Sequence, residues 1–365
     1  MIQHTKHLFI AQSGITAVMS ELVADHLSLV PSHIAVVHYR GSYAVHPEAA
    51  HLHEDTSLEL PSWRHRHSFG SQLKGLWERV DECVEGNRFF LYAPQSASPT
   101  YRALGMHSKC VQIRYVEEGT DALLARPNVT PGPIPGTWYK RPMLSVGCFG
   151  LRGLNSNLLL NRTYQAPHRS VFFHVTPHAF PWAKRRVLLE PRLHFVRPEV
   201  PRVILAMSPL PRAAVSTVSY AGRGSLALAD LLPAMSRLSS MLTSRGYRRI
   251  AVKFHMYDKE LPTMLDVSER RQEVVDVLRG GGALDVERLD DDEILEPLLV
   301  GRRILGMATS ALHYARLFRG EAYLVKSVLS PSGQRWLSEM LAGMAESKLS
   351  TLPDVQELPC AEQGE

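Results

Sequence analysis

Cysteine is scarce in this sequence: Cys83, Cys110, Cys148 and Cys360 are the only four in 365 residues. They lie far apart and form neither a CxxC pair nor a Cys/His zinc spacing. That excludes a disulfide framework and points to a reducing compartment. Long apolar runs are missing as well. Residues 8–20 are interrupted by Gln12, Ser13 and Gly14, and no stretch of about 18 apolar residues occurs, so a cytoplasmic protein is expected, with any membrane association peripheral. No charge sign dominates: 41 Lys and Arg against 36 Asp and Glu leave a net +5. The small basic clusters at Lys184–Arg186 and Arg248–Arg249 are either solvated faces or patches for an anionic ligand. Without a basic stripe interleaved with aromatics, nucleic acid is not an expected partner. The turn "AQSGIT" carries one glycine where a dinucleotide-binding GxGxxG would need three, and there is no P-loop. The "DDD" at 290–292 precedes a predicted helix, where capping explains it better than metal binding.

What is present is a globular composition, 45% hydrophobic and 21% charged, in a chain long enough for two domains of roughly 150–200 residues each. "KHLFIAQ", "HIAVVHYR", "NRFFLYAP" and "KCVQIRYVEEG" read as strands. "GITAVMSELVADHLSLV" and "GSQLKGLWERVDECVEG" carry apolar residues at helical spacing. Residues 124–200 are rich in proline and read as loops, and "LLEPRLHFVRPEVP" is the predicted linker. Alternation then resumes. "RVILAMSP", "YRRIAVKFHM", "RRILGMAT" and "EAYLVK" are predicted strands. "SLALADLLPAMSRLSSMLTSRG", "SERRQEVVDVLRGGG", "DDEILEPLLVG" and "SALHYARLFRG" are predicted helices. This alternation predicts α/β architecture: two doubly wound units, residues 1–195 and 196–365, facing each other across a cleft.

Ligands of such sheets bind beyond the carboxyl ends of the strands, and three features fall there. Glu117 and Glu118, followed by Gly119, end the strand "VQIRYV". Adjacent carboxylates can raise one another's pKa toward the range of a general base, or can simply sit at the positive end of the next helix. In "VKFHMYD", Lys253 and His255 are delivered to a strand end, where they can stabilise a phosphate leaving group or where the histidine can be half-buried and structural. In "LGMATSALHYARL", Thr309 and Ser310 open a helix, as an anion site or as an ordinary N-cap. Glu296, in "DEILEPLL", is either an acceptor for sugar hydroxyls or a solvated acid. Gln12 and Ser13, in the loop after the first strand, either touch a sugar or form a plain strand–helix turn.

Together, in this order, the motifs resemble those of bacterial sialyltransferases, the groups that build lipooligosaccharide caps and polysialic acid capsules, with Kdo transferases further off. The family's D/E-D/E-G motif resembles Glu117-Glu118-Gly119, its His-Pro motif His255-Met256, its Ser-Ser/Thr motif Thr309-Ser310, and its ribose-binding acid Glu296. Met256 departs from the family's proline. The resemblance implies a GT-B fold of two Rossmann-like domains, with the last helix packing back on the N-terminal one. It implies an inverting transfer of a sialic or related ulosonic acid from a CMP-sugar donor to a glycan acceptor, without metal or cofactor, at the inner membrane surface. Glu117 would then be the general base and Glu118 and Gly119 would tune it and support the turn. His255, Lys253, Thr309 and Ser310 would handle the phosphate, Glu296 the ribose, and Gln12 and Ser13 the sugar. Arg152, Arg162, His168, His174 and His178 would meet an anionic glycan, unless they belong to a solvated loop. Two other readings remain open: a GT-B transferase using UDP- or GDP-sugars, and a non-catalytic two-lobed binding protein.

Overall fold

The computed structural model describes residues 5–39, 43–54, 68–94, 98–119, 122, 168–191, 199–207, 228–254, 264–291, 293–307, 309–342 and 348–362. The chain divides into two compact units, Met1–Arg192 and Leu193–Glu365.

The first unit runs β1 (Lys6–Ala11), α1 (Gly14–His26), β2 (Ile34–Tyr39), β3 (Ala50–Glu54), α2 (Ser68–Cys83), β4 (Phe89–Ala93), α3 (Pro99–Gly105), β5 (Cys110–Val116), β6 (Phe172–His174) and β7 (Arg186–Leu188). The strands form one sheet in the order β3-β2-β1-β4-β5-β6-β7, and every pairing in it is parallel. A parallel strand covered on both faces buries every side chain, which is why β2 is apolar almost throughout and buried along its whole length. The period of two sends Leu8 and Ile10 to one face, where they share a core with Phe69, Leu73, Leu76 and Val80 of α2. Phe9 and Val36 fall on the opposite face and are equally buried.

The second unit runs β8 (Val203–Ala206), α4 (Leu228–Ser244), β9 (Arg249–Lys253), α5 (Met264–Arg279), β10 (Asp285–Arg288), β11 (Arg303–Gly306), α6 (Ser310–Leu317), β12 (Glu321–Leu324) and α7 (Pro331–Ala342). Its sheet has the order β10-β9-β8-β11-β12, again parallel throughout. The residues after α7 are held on this same unit: Leu324 bridges to Asp354, the Tyr247 hydroxyl donates to the Pro359 carbonyl at 2.8 Å, and the Ala361 N–H donates to the Arg245 carbonyl.

In both sheets the first strand of the unit is interior and the order reverses beside it. This is the doubly wound, Rossmann-like order, and the expected α/β class is what the structure shows. The reversal leaves a crevice at the carboxyl ends of β1 and β4 in one unit and of β8 and β11 in the other.

Two expectations are corrected. "DDEILEPLLVG" is not an α-helix. Among its described residues only Glu296–Leu299 winds, as a single 3-10 turn with proline in its first turn. Pro297 lacks the N–H that a longer helix would need, and Gly301, at φ +65°, turns the chain into β11. The proline-rich stretch before residue 200 is not all loop, since it contributes β6 and β7.

Candidate functional site

In the first unit the carboxyl end of β1 turns directly into α1, and its geometry is locked locally. Ser13 caps the helix in a capping box with Thr16. The Gln12 N–H donates to the Thr16 hydroxyl at 2.9 Å, and that hydroxyl donates to the Ser13 carbonyl at 2.9 Å. This fixes the Gln12 side chain, which is buried, at the crevice. Gln12 links two neighbours: its Oε1 accepts from the Tyr101 hydroxyl, and its Nε2 donates to Glu118 Oε1. Ser13 Oγ lies 3.5 Å from the same carboxylate oxygen as a second donor. Tyr101 was not among the sequence candidates. The Ser98-Pro99 start of α3, proline at the first turn of a helix, is the signal that could have placed it.

Glu117 and Glu118 are adjacent, yet their surroundings are opposite. Glu117 is 0% exposed. Its Oε2 accepts from the backbone N–H groups of Val175 and Thr176, each at 2.9 Å, and its Oε1 accepts from the Thr176 hydroxyl. Its own N–H pairs with Phe173. Glu117 therefore ties the end of β5 to the turn after β6, satisfying two buried N–H groups that no ladder reaches. Glu118 points the other way along the pleat, is half-buried, and joins Gln12 and Ser13. The division of labour expected for the pair, base first and support second, is not the one these contacts favour. Gly119 sits at φ +57° with nothing within 4 Å of where a Cβ would stand, so the left-handed turn, not space, calls for glycine.

In the second unit, β9 delivers Lys253 to the carboxyl edge, as expected. Its ammonium donates to the carbonyls of Asp290 and Asp291, the latter at 2.9 Å. It thus organises the loop after β10, a different duty from the phosphate contact expected of it. The same loop is pinned from α5 by Arg271, whose guanidinium meets Asp291 at 2.9 Å with only 4% and 13% of the two side chains exposed. His255 and Met256 lie outside the described residues, as do Arg152 and Arg162.

Glu296 is the most unusual group described. It is 9% exposed, and its Oε2 has no hydrogen-bond partner. Burial pushes its pKa up to about 7, against the opposing pull of its own N–H and of Lys253. It is not a solvated acid. Thr309 caps α6, its hydroxyl accepting from the Ala311 N–H at 3.3 Å, and Ser310 begins the helix. The capping reading of Thr309 is met. The Leu312 N–H in turn donates to the Thr309 carbonyl at 3.2 Å, so what the start of α6 offers an anion is the Ser310 position and the positive end of the helix dipole. The approach of α6 to the sheet depends on Gly306, where a Cβ would meet Thr309 Cγ2 at 2.9 Å and the Ala206 carbonyl at 3.0 Å. Sequence reading had not singled out this glycine.

His174 is buried, with Nδ1 2.7 Å from the Thr176 carbonyl, and burial lowers its pKa. It supports the turn that binds Glu117. His168 and His178 are exposed. The basic clusters are solvated: Lys184, Arg185 and Arg186 are exposed, and Arg249 pairs with Asp285 and Glu287 at the surface. Among the described residues no group of three His, Cys, Asp or Glu is arranged to hold a metal ion, and no helix is long and apolar enough to cross a membrane.

No family model matches the chain, and no curated protein matches it either. Among solved structures it is similar to a protein assigned as a UDP-N-acetylglucosamine 2-epimerase from Listeria monocytogenes, with 11% identity, 99% of this chain and 93% of that chain covered, and a TM-score of 0.46. It is also similar to the UDP-GlcNAc 2-epimerase of Methanocaldococcus jannaschii (8% identity, 93% and 92% covered, TM-score 0.41). A third likeness is to an E. coli heptosyltransferase with ADP (12% identity, 88% and 87% covered, TM-score 0.39). At these TM-scores the likenesses decide neither ligand nor reaction.

Proposed function

We propose that the chain is an inverting GT-B-type glycosyltransferase. It moves a sialic or related ulosonic acid from a CMP-activated donor to a hydroxyl of a surface glycan. The observation that carries this reading is Glu296: a carboxylate enclosed in the turn before β11, within electrostatic reach of Lys253 at the end of β9, with one oxygen unpartnered. Leaving such a group unsatisfied costs on the order of 1–3 kcal/mol, a cost that a ligand's hydroxyl donors would remove. A ribose diol is such a ligand, and the N-terminus of α6 is a complementary site for the phosphate joined to it.

The donor class is supported by the ordered motifs Glu117-Glu118-Gly119, His255, Glu296 and Thr309-Ser310. In the reaction the acceptor oxygen bonds to the anomeric carbon as the bond from that carbon to the phosphate oxygen breaks. CMP departs with the electron pair, and a carboxylate of the Glu117–Glu118 pair takes the hydroxyl proton. His255, Thr309 and Ser310 donate hydrogen bonds to the leaving phosphate at the positive end of α6, and the reading calls for no metal.

The test is calorimetry of the full chain with CMP, UDP and GDP, followed by nucleotide release from CMP-activated sugar acids. Micromolar CMP binding that Glu296→Ala weakens at least tenfold supports the reading. Tight UDP binding with no CMP binding refutes it.

A further inference from the structure

The two acids that end β5 cannot both take a proton from an acceptor, and their surroundings separate them. We propose that Glu118, not Glu117, is the catalytic base; this rests on the glycosyltransferase reading above. A general base must bring an oxygen within about 2.6–3.2 Å of the hydroxyl it deprotonates. Glu117 offers no such oxygen. Both of its oxygens accept from the 175–176 turn, and the side chain is fully enclosed. Reaching it would expose two buried N–H groups and undo the junction of β5 with β6.

Glu118 is partly open where Glu117 is enclosed. It is half-buried at the carboxyl edge, beside the crevice where the strand order reverses at β1. Its Oε1 is held by Gln12 Nε2 and Ser13 Oγ. Gln12 is itself fixed from three sides: Tyr101 on its side-chain carbonyl, the Thr16 hydroxyl on its N–H, and the Tyr43 hydroxyl 3.4 Å from its backbone carbonyl. Orientation of this kind is what proton transfer needs from its supporting shell. The adjoining first turn of α1 favours negative charge at that point, the form that accepts a proton.

The step balances simply. The acceptor oxygen forms its bond to the anomeric carbon, the hydroxyl proton passes to Glu118, and the phosphate leaves with the bonding pair. Glu118 then returns the proton to water. Gln12 and Tyr101 are positioning residues, since they act through the carboxylate.

The experiment compares Glu118→Gln and Glu117→Gln in the full chain, reading nucleotide release from CMP-, UDP- and GDP-activated sugars alongside thermal unfolding. Loss of a general base lowers turnover about 10²–10⁴-fold. Glu118→Gln should show that loss with unchanged nucleotide affinity and unfolding temperature, and the acidic limb of its pH–rate profile should vanish. Glu117→Gln should unfold at lower temperature while each folded molecule keeps turnover within about tenfold. If Glu118→Gln turns over like the unmodified protein, the inference is overturned and the transferase reading stands. Should the unmodified protein release nucleotide from none of the donors, both fall together. Should Glu117→Gln prove too unstable to assay, Glu118→Gln decides alone.

Discussion

Replacing Glu296 by glutamine should make the second unit more stable and a worse nucleotide binder. The sign follows from its pKa, raised by burial from 4.5 to about 7. The unfolded chain releases this proton near pH 4.5, while the folded chain holds it to about pH 7. Stability therefore falls as pH rises through that window and stays reduced above it. Holding the proton from pH 4.5 to about pH 7, at 1.36 kcal/mol for each tenfold change in affinity, corresponds to a penalty of about 3 kcal/mol once the group is ionised. Glutamine has the same shape and no charge, so it removes most of that penalty. Its NH2 group needs an acceptor in turn, which lowers the expected gain to roughly 2 kcal/mol at pH 8. For a unit of this size that is a rise in unfolding temperature of about 4–8 °C. At pH 4.5 both proteins are neutral at this position and the gain should vanish. Thermal unfolding at pH 4.5 and pH 8, with CMP calorimetry at pH 8, measures all of this. A destabilised variant at pH 8, or the same shift at both pH values, would refute the argument that Glu296 is strained by burial and kept for a ligand. A more stable protein that binds less well is the usual cost of a functional group held against its solvation.

Two further expectations concern the frames of the two units. Gly306→Ala forces a Cβ to within 2.9 Å of Thr309 Cγ2 and 3.0 Å of the Ala206 carbonyl; overpacking of this sort costs about 1–3 kcal/mol, and urea unfolding should show it together with weaker nucleotide binding. An unchanged urea midpoint would mean that the strand and α6 do not approach as closely as described. On the first sheet, His38 stacks on His53 at 4.7 Å and lies 2.7 Å, Nε2 to Nδ1, from His51. Burial, then the neighbouring His53 and His51, lower its pKa from 6.5 to about 4. As pH falls from 6.5 to 4 the unfolded chain takes up a proton that the folded chain refuses, so stability should drop across that window. His38→Gln should flatten the drop, and urea midpoints from pH 4 to pH 7 that are parallel for the two proteins would count against it.

Much of this molecule is legible in the chain. β1, β2, β4, β8 and β11 are runs of apolar residues because buried parallel strands must be, and the helices between them carry apolar residues at helical spacing. That alternation determined the α/β class. The short edge strands escaped notice: "AHLHE" and "DVER" carry polar residues, and they are strands because β2 and β9 offer them an edge to pair with. The candidate sites divide the same way. Sequence order brought Glu117, Glu118, Glu296 and Thr309-Ser310 forward as chemistry-bearing positions. Which of two neighbouring glutamates is enclosed depends on the turn at Val175 and Thr176, 58 and 59 residues further along. Local sequence treats the two glutamates alike, because identical side chains have identical propensities. Only the tertiary structure brings buried N–H groups to one carboxylate and Gln12 to the other, and so separates a strut from a proton acceptor.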